Sequence, residues 1–179
     1  VQWMNRAWER IRPHTKPFLP YMQRPAEIWI RYFTPEKFPI PDGMGANYAP
    51  LAARFQFLAP HLPGPFNEVL PRATLARVVS SLGLSKNITR LYTDLEKGLT
   101  FREDFLNALV RKLPQIFIYE PDLEMMVLHI NCFQAFLAGL TQHLAHKGQT
   151  EPRPRGYPKQ SAWIHIPKPD PDWAKAFEG

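Results

Sequence analysis

The sequence predicts a helix-rich α/β fold, on three observations. After residue 43, apolar residues recur at helical spacing between clear start and stop signals. Three short β-prone runs, residues 66–70, 115–119 and 162–166, lie among those helices. The 179 residues suit one domain, and 45% hydrophobic with 13% aromatic residues is enough to bury a core and to exclude a disordered chain.

Residues 1–43 read as a proline-rich basic arm. Twelve of the 20 prolines fall in residues 13–71, and each removes a backbone donor. The arm should therefore be short helical or extended pieces over a core made elsewhere. Residues 44–169 form that core and residues 170–179 a tail. Asn47 caps a first helix, with Pro50 in its first turn and Leu51, Phe55 and Leu58 on one face. Pro60 and Pro63-Gly64-Pro65 end it. Phe66–Leu70 is a strand. Pro71 opens a helix with Leu75, Val78, Val79 and Leu82 on one side and Gly83 as its stop. Residues 85–98 read as a helix or helical turn. Thr100 and Glu103 form a capping box before Phe101, Phe105, Leu109 and Leu113, and Pro114 stops that helix. Residues 115–119 are β-like. Pro121 and Asp122 start the longest helix, which runs to about His146 and ends at Gly148. Ala162–Ile166 is a strand, and from Pro167 onward the chain is extended.

Composition narrows the function classes. Cys132 has no partner cysteine, which excludes an intrachain disulfide and a cysteine-rich zinc site. The first residues lack the apolar stretch of a secretory signal, and the longest mainly apolar run, Met125–Leu140, is interrupted by His129, Asn131 and Gln134. These features predict a cytoplasmic chain without a membrane partner. The net charge of +6 and pI near 9.6 favour a polyanion, nucleic acid first. Residues 1–40 hold seven Lys/Arg and three Asp/Glu, about two-thirds of the net charge.

No phosphate loop, dinucleotide fingerprint, zinc-protease helix or nucleophile elbow is present. His143 and His146, three apart at a helix end, read as polar groups suited to the helix dipole. His129 reads as packed or solvated, and Asp94 and Glu96 as solvated. Glu68 differs, because it sits in FNEVLP, inside a short apolar strand. By period-2 alternation it points to solvent or into a site. A carboxylate projecting from a strand can hold a divalent metal that activates water. Gln134 falls beside the apolar stripe Leu123, Met126, Val127, Ile130, Phe133, Leu137, Leu140, Leu144, and Asn131 is on its side. The pair reads either as core amides bonded to backbone or as a site rim.

The stretch FNEVLPRATLARVVSSLGL resembles the E-V-x-P-x-A segment of a family of predicted ribonuclease-H-like nucleases, found in bacteria and archaea. FLAGLTQHLAHKG followed by TEPRPRGYPKQSAWIHIP is similar to that family's closing helix and Gly-Trp-Ile strand. QRPAEIWIRYF and GMGANYAPLAARFQFLAPHL are similar to its linking region. The matches cover residues 23–169 in the family's order. The resemblance implies a partial ribonuclease-H-like fold with a small mixed sheet. It also implies metal-dependent phosphodiester hydrolysis, with Glu68 as the catalytic and metal-binding acid for Mg or Mn. Asn131 and Gln134 stand where the family has an acid, and the family's early Gly-x-Asp strand has no counterpart. One carboxylate holds a hard cation poorly. The resemblance thus implies hydrolysis weak or lost. Either the chain is the carboxy-terminal portion of a longer protein, or it is a degenerate relative. In the first case a missing amino-terminal segment or a protein partner would complete the fold.

Two further readings compete. A non-catalytic nucleic-acid-binding module would use Arg72, Arg153, Arg155 and Lys159. Trp3, Trp8, Trp29 and Tyr32 would stack on bases or anchor the arm. A scaffolding subunit of a protein assembly would wrap its partner with proline-rich arms.

Overall fold

The computed structural model describes residues 24–36, 38, 49–64, 66–85, 91–159 and 161–178. The chain divides into two compact units, Val1–Glu68 with Pro152–Ile164 and Val69–Glu151 with His165–Gly179. Each unit takes up two separate stretches of the chain. Two short strands, β1 (Glu68–Val69) and β2 (Ile164–His165), pair in parallel. The division falls within both of them. The expected runs at 66–70 and 162–166 therefore do pair, over two residues each. The mixed sheet is corrected to a two-stranded one.

In the first unit, α1 (Pro25–Phe33) starts where Pro25 fixes the first helical φ and Glu27 reaches back to the Arg24 N–H. Its Ala26, Glu27, Ile28 and Ile30 are buried. A second helix, α2 (Ala49–Leu58), leads into a 3-10 turn, Ala59–His61. The face expected to pack is exposed at Phe55 and Leu58, at 49% and 40%. Phe55 meets only the edge of Phe66, ring centroids 5.4 Å apart, among the aromatic contacts described. The sequence is apolar at nearly every position there, so periodicity selects no inward face. The side chain of Leu51, and Asn47, lie outside the described residues.

The second unit is helical. Its core is built from α3 (Pro71–Ser81), α4 (Lys97–Lys112), α5 (Glu120–Leu128) and α6 (Ile130–His146). Leu75, Val78 and Val79 meet Phe105, Leu109, Phe133, Leu137 and Leu144, all fully buried. The apolar stripes read from the sequence are those that pack. Both expected glycine stops also hold. Gly83 and Gly148 take φ of 74° and 69°, and each helix closes with a Schellman pair. Leu84 N–H reaches Val79 O and Gly83 N–H reaches Ser80 O. Gln149 N–H reaches Leu144 O and Gly148 N–H reaches Ala145 O.

Four expectations are corrected. The helix expected from Thr100 begins at Lys97. The exposed Asp94 carboxylate accepts from the Glu96 and Lys97 N–H groups, at 3.0 and 2.9 Å. These bonds also hold that carboxyl below its usual range. The single long helix is two helices bent by 114° at His129, whose φ and ψ are extended. The break has a physical cause. Arg102 Nε donates to Val127 O at 2.7 Å, so the carbonyl that a continuous helix would have used is satisfied. Residues 116–119 keep the alternation of a strand, with Ile116 and Ile118 on the core and Phe117 and Tyr119 exposed, but no strand pairs with them among the described residues. The tail carries a short helix, α7 (Trp173–Phe177), capped by Asp172. Ala176 is fully buried, Trp173 Nε1 donates to Ser81 Oγ, and His143 Nε2 meets Ala176 O at 2.7 Å. Among the described residues no single helix is long and apolar enough to cross a membrane.

Gly98 marks the tightest approach in this unit. A Cβ there would stand 2.9 Å from Leu91 O and 3.0 Å from Tyr92 O. Alanine in a helix ordinarily gains about 1 kcal/mol over glycine. Crowding rigid backbone costs about 1–3 kcal/mol. Gly98→Ala is therefore expected to lower stability by up to about 2 kcal/mol. Urea unfolding monitored by circular dichroism measures it, and a stabilised variant would contradict this packing.

Candidate functional site

Glu68 leads to Arg24. The Arg24 Nη1 and Nη2 groups donate to the two Glu68 carboxylate oxygens, each at 2.6 Å. The Nε of the same guanidinium donates to Glu27 Oε1 at 2.7 Å, and the Arg24 backbone N–H donates to Glu27 Oε2 at 2.9 Å. One arginine is clamped between two carboxylates. The Glu68 bonds, partly offset by burial, push the Arg24 pKa above its ordinary value, so it stays cationic at any working pH. Glu27 is 2% exposed, whereas the Arg24 and Glu68 side chains are each 38% exposed.

That difference decides what the clamp is worth. A half-exposed pair contributes about 1 kcal/mol or less. A buried carboxylate left without its partner costs about 3–5 kcal/mol. The clamp therefore stabilises through Glu27, and Glu68 is the freer half.

Residues 152–159 form a built loop rather than a loose linker. Tyr157 N–H donates to Pro154 O, and the Tyr157 hydroxyl donates to Ala162 O at 2.6 Å. Its ring meets Trp163 edge-on at 5.1 Å, and Trp163 packs on Trp29 at 5.0 Å. Trp29 thus anchors α1, as one reading of the aromatics expected. Trp3 and Trp8 lie outside the described residues. Burial pushes the Tyr157 phenol above its ordinary value, offset by Arg153, whose guanidinium lies 5.9 Å from the ring centre, and by Arg24. Arg153, Arg155 and Lys159 are exposed on this loop.

The other expected site residues belong to the second unit. Arg72 is exposed near the start of α3. Asn131 and Gln134 lie on α6. Asn131 is exposed, so the pair of buried amides is corrected to one half-buried amide, and Gln134 Nε2 donates to the Tyr92 hydroxyl at 3.4 Å. Glu68 has partners of its own unit.

The donor set around Glu68 does not fit Mg or Mn. Both carboxylate oxygens face a guanidinium, and a cation there would displace or be repelled by it. Among the described residues no group of three or more His, Cys, Asp or Glu side chains could hold a metal ion. The arrangement offers a partly exposed arginine neutralised by two carboxylates and an exposed cationic loop, and it is the loop that suits anion binding. Arg24 was missed in the sequence because Arg at an N-cap follows no capping rule. The Pro25 and Glu27 after it were the readable signal.

Two outcomes test this site. Arg24→Met is expected to cost about 3–5 kcal/mol through Glu27, and Glu68→Gln about 1 kcal/mol or less. Denaturant melts of both variants measure the contrast, and equal losses would reject the assignment. The raised Tyr157 pKa adds stability that is intact below pH 10.0, its unperturbed value, and is lost as pH rises through the folded value. Tyr157→Phe is expected to flatten that alkaline decline in a pH series of thermal melts. A decline of unchanged steepness would place its cause elsewhere.

Comparison with known proteins finds no family model, no curated protein and no solved structure that matches the chain.

Proposed function

We propose that this chain is a non-catalytic nucleic-acid-binding module related to ribonuclease-H-like nucleases, with phosphodiester hydrolysis lost. The observation that carries the reading is the bidentate Arg24–Glu68 pair, 2.6 Å on both arms. An acid committed to a guanidinium neither gathers a hard cation nor activates water. The same unit exposes Arg153, Arg155 and Lys159. Phosphate groups are the natural ligands of such a set. What supports descent from the nuclease fold is the parallel pairing of the two runs singled out in the sequence, with the acid at the first residue of β1.

In this reading affinity comes from cationic side chains that neutralise phosphates and release counterions. Removing one such side chain should lower the slope of log K against log salt by about 0.9 for duplex DNA and about 0.7 for single strands. Replacing Arg153, Arg155 and Lys159 together with Gln is expected to weaken binding to labelled DNA and RNA and to shallow that slope by roughly 2–3. Incubation with Mg²⁺ or Mn²⁺ is expected to leave both substrates intact. Unchanged affinity and slope in the triple variant would remove the loop from binding. Metal-dependent cleavage abolished by Glu68→Gln would restore the catalytic reading.

A further inference from the structure

The second unit presents an apolar stripe on its outside. In α5, Leu123, Met126 and Val127 pack toward the core. The opposite face carries Pro121, Met125 and Leu128, at i, i+4 and i+7, all exposed. Met125 is 47% and Leu128 51% exposed. The stripe spans eight residues, Pro121 to Leu128, roughly 10 Å of helix, the length two turns of a partner helix would cover. Just before it, Phe117 and Tyr119 stand outward at 76% and 66% exposure, their rings edge-to-face at 4.9 Å. Scattered exposed apolar residues need no explanation, but a helical register of them beside two aromatics is the pattern of an interaction surface.

Charge identifies the partner. Glu120, Asp122 and Glu124 are exposed on the same helix. No Lys or Arg occurs from Leu113 to His146. In a chain of net charge +6 this stretch is acidic. An anionic lipid surface would be repelled by it, and a nucleic acid likewise.

We propose that the outward face of α5 docks a basic amphipathic helix of a protein partner. The partner sets apolar side chains at i, i+4 and i+7 against Pro121, Met125 and Leu128. Its Lys or Arg residues flank them and meet Glu120, Asp122 and Glu124. The inference stands apart from the nucleic-acid reading, which uses the other unit.

The test is fluorescence anisotropy of the full chain with two labelled synthetic peptides. Both carry leucines at i, i+4 and i+7, one with lysines and one with glutamates at the flanking positions. The chain is expected to bind the lysine peptide and to discriminate against the glutamate one. The Met125→Lys/Leu128→Lys variant is expected to lose affinity roughly tenfold or more. The Glu120→Lys/Asp122→Lys/Glu124→Lys variant is expected to reverse the preference. All five positions are exposed, and a thermal melt of each variant verifies folding. Equal binding of the two peptides, or lysine-peptide binding untouched by both variants, overturns the proposal. So does a dimer in size-exclusion chromatography that the Met125/Leu128 variant abolishes, which would make a second copy the occupant.

Discussion

Arg102 is buried in the second unit, 3% exposed, and its hydrogen bonds run to backbone carbonyls: Nη1 to Tyr92 O at 2.6 Å and Nε to Val127 O at 2.7 Å. Burying a charge costs several kcal/mol, and desolvation lowers the Arg102 pKa, though its ordinary value lies so far above neutrality that the group stays charged. Hydrogen bonds to a charged group return about 1.5–3 kcal/mol each, so two short ones roughly offset the loss. The arrangement then dictates its surroundings. The 91–93 turn is held against the first turn of α4, where Gly98 leaves room. The chain leaves helical geometry at His129, and α5 takes its own direction with a face turned away from the core.

The same device recurs with different partners. Arg77 is 2% exposed on α3 and donates to Glu151 and to Pro167 O, both at 3.0 Å. It ties the helix to the antiparallel stretch in which Thr150 bridges Pro167. Arg24 joins two glutamates in the first unit. The planar, many-donor guanidinium suits all three places, because it can satisfy acceptors from separate segments at once. A basic composition, read from the sequence as a signal for polyanions, is partly spent on internal ties.

The second unit was the more legible part. Stripes at Leu75, Val78, Val79 and at Phe133, Leu137, Leu140, Leu144 face the core because helical periodicity and burial report the same thing there. The two glycine stops were readable because only a residue without Cβ enters that backbone region cheaply. The break at His129 was not legible. Its cause lies in a side chain on another helix, 25 positions before the carbonyl it satisfies. The exposed α2 escaped for the opposite reason: with only Arg54 and Gln56 polar, it has too little pattern to mark an inward face. At the site, Glu68 stood out as an acid in a short apolar run, but its partner Arg24 is one that no local rule connects to it across 44 positions.

The two units are interlaced along the chain, which has a consequence for how the protein is made. On a ribosome the amino-terminal stretch emerges first, yet the tryptophan that packs against Trp29 is residue 163. The whole of Val69–Glu151 must be synthesised in between. The first unit is therefore completed late, and the intervening helices can pack before it closes. A polypeptide ending at residue 164 would hold every stretch of the first unit and lack His165–Gly179 of the second, whereas one ending at residue 68 would lack Pro152–Ile164 of the first and the whole of the second.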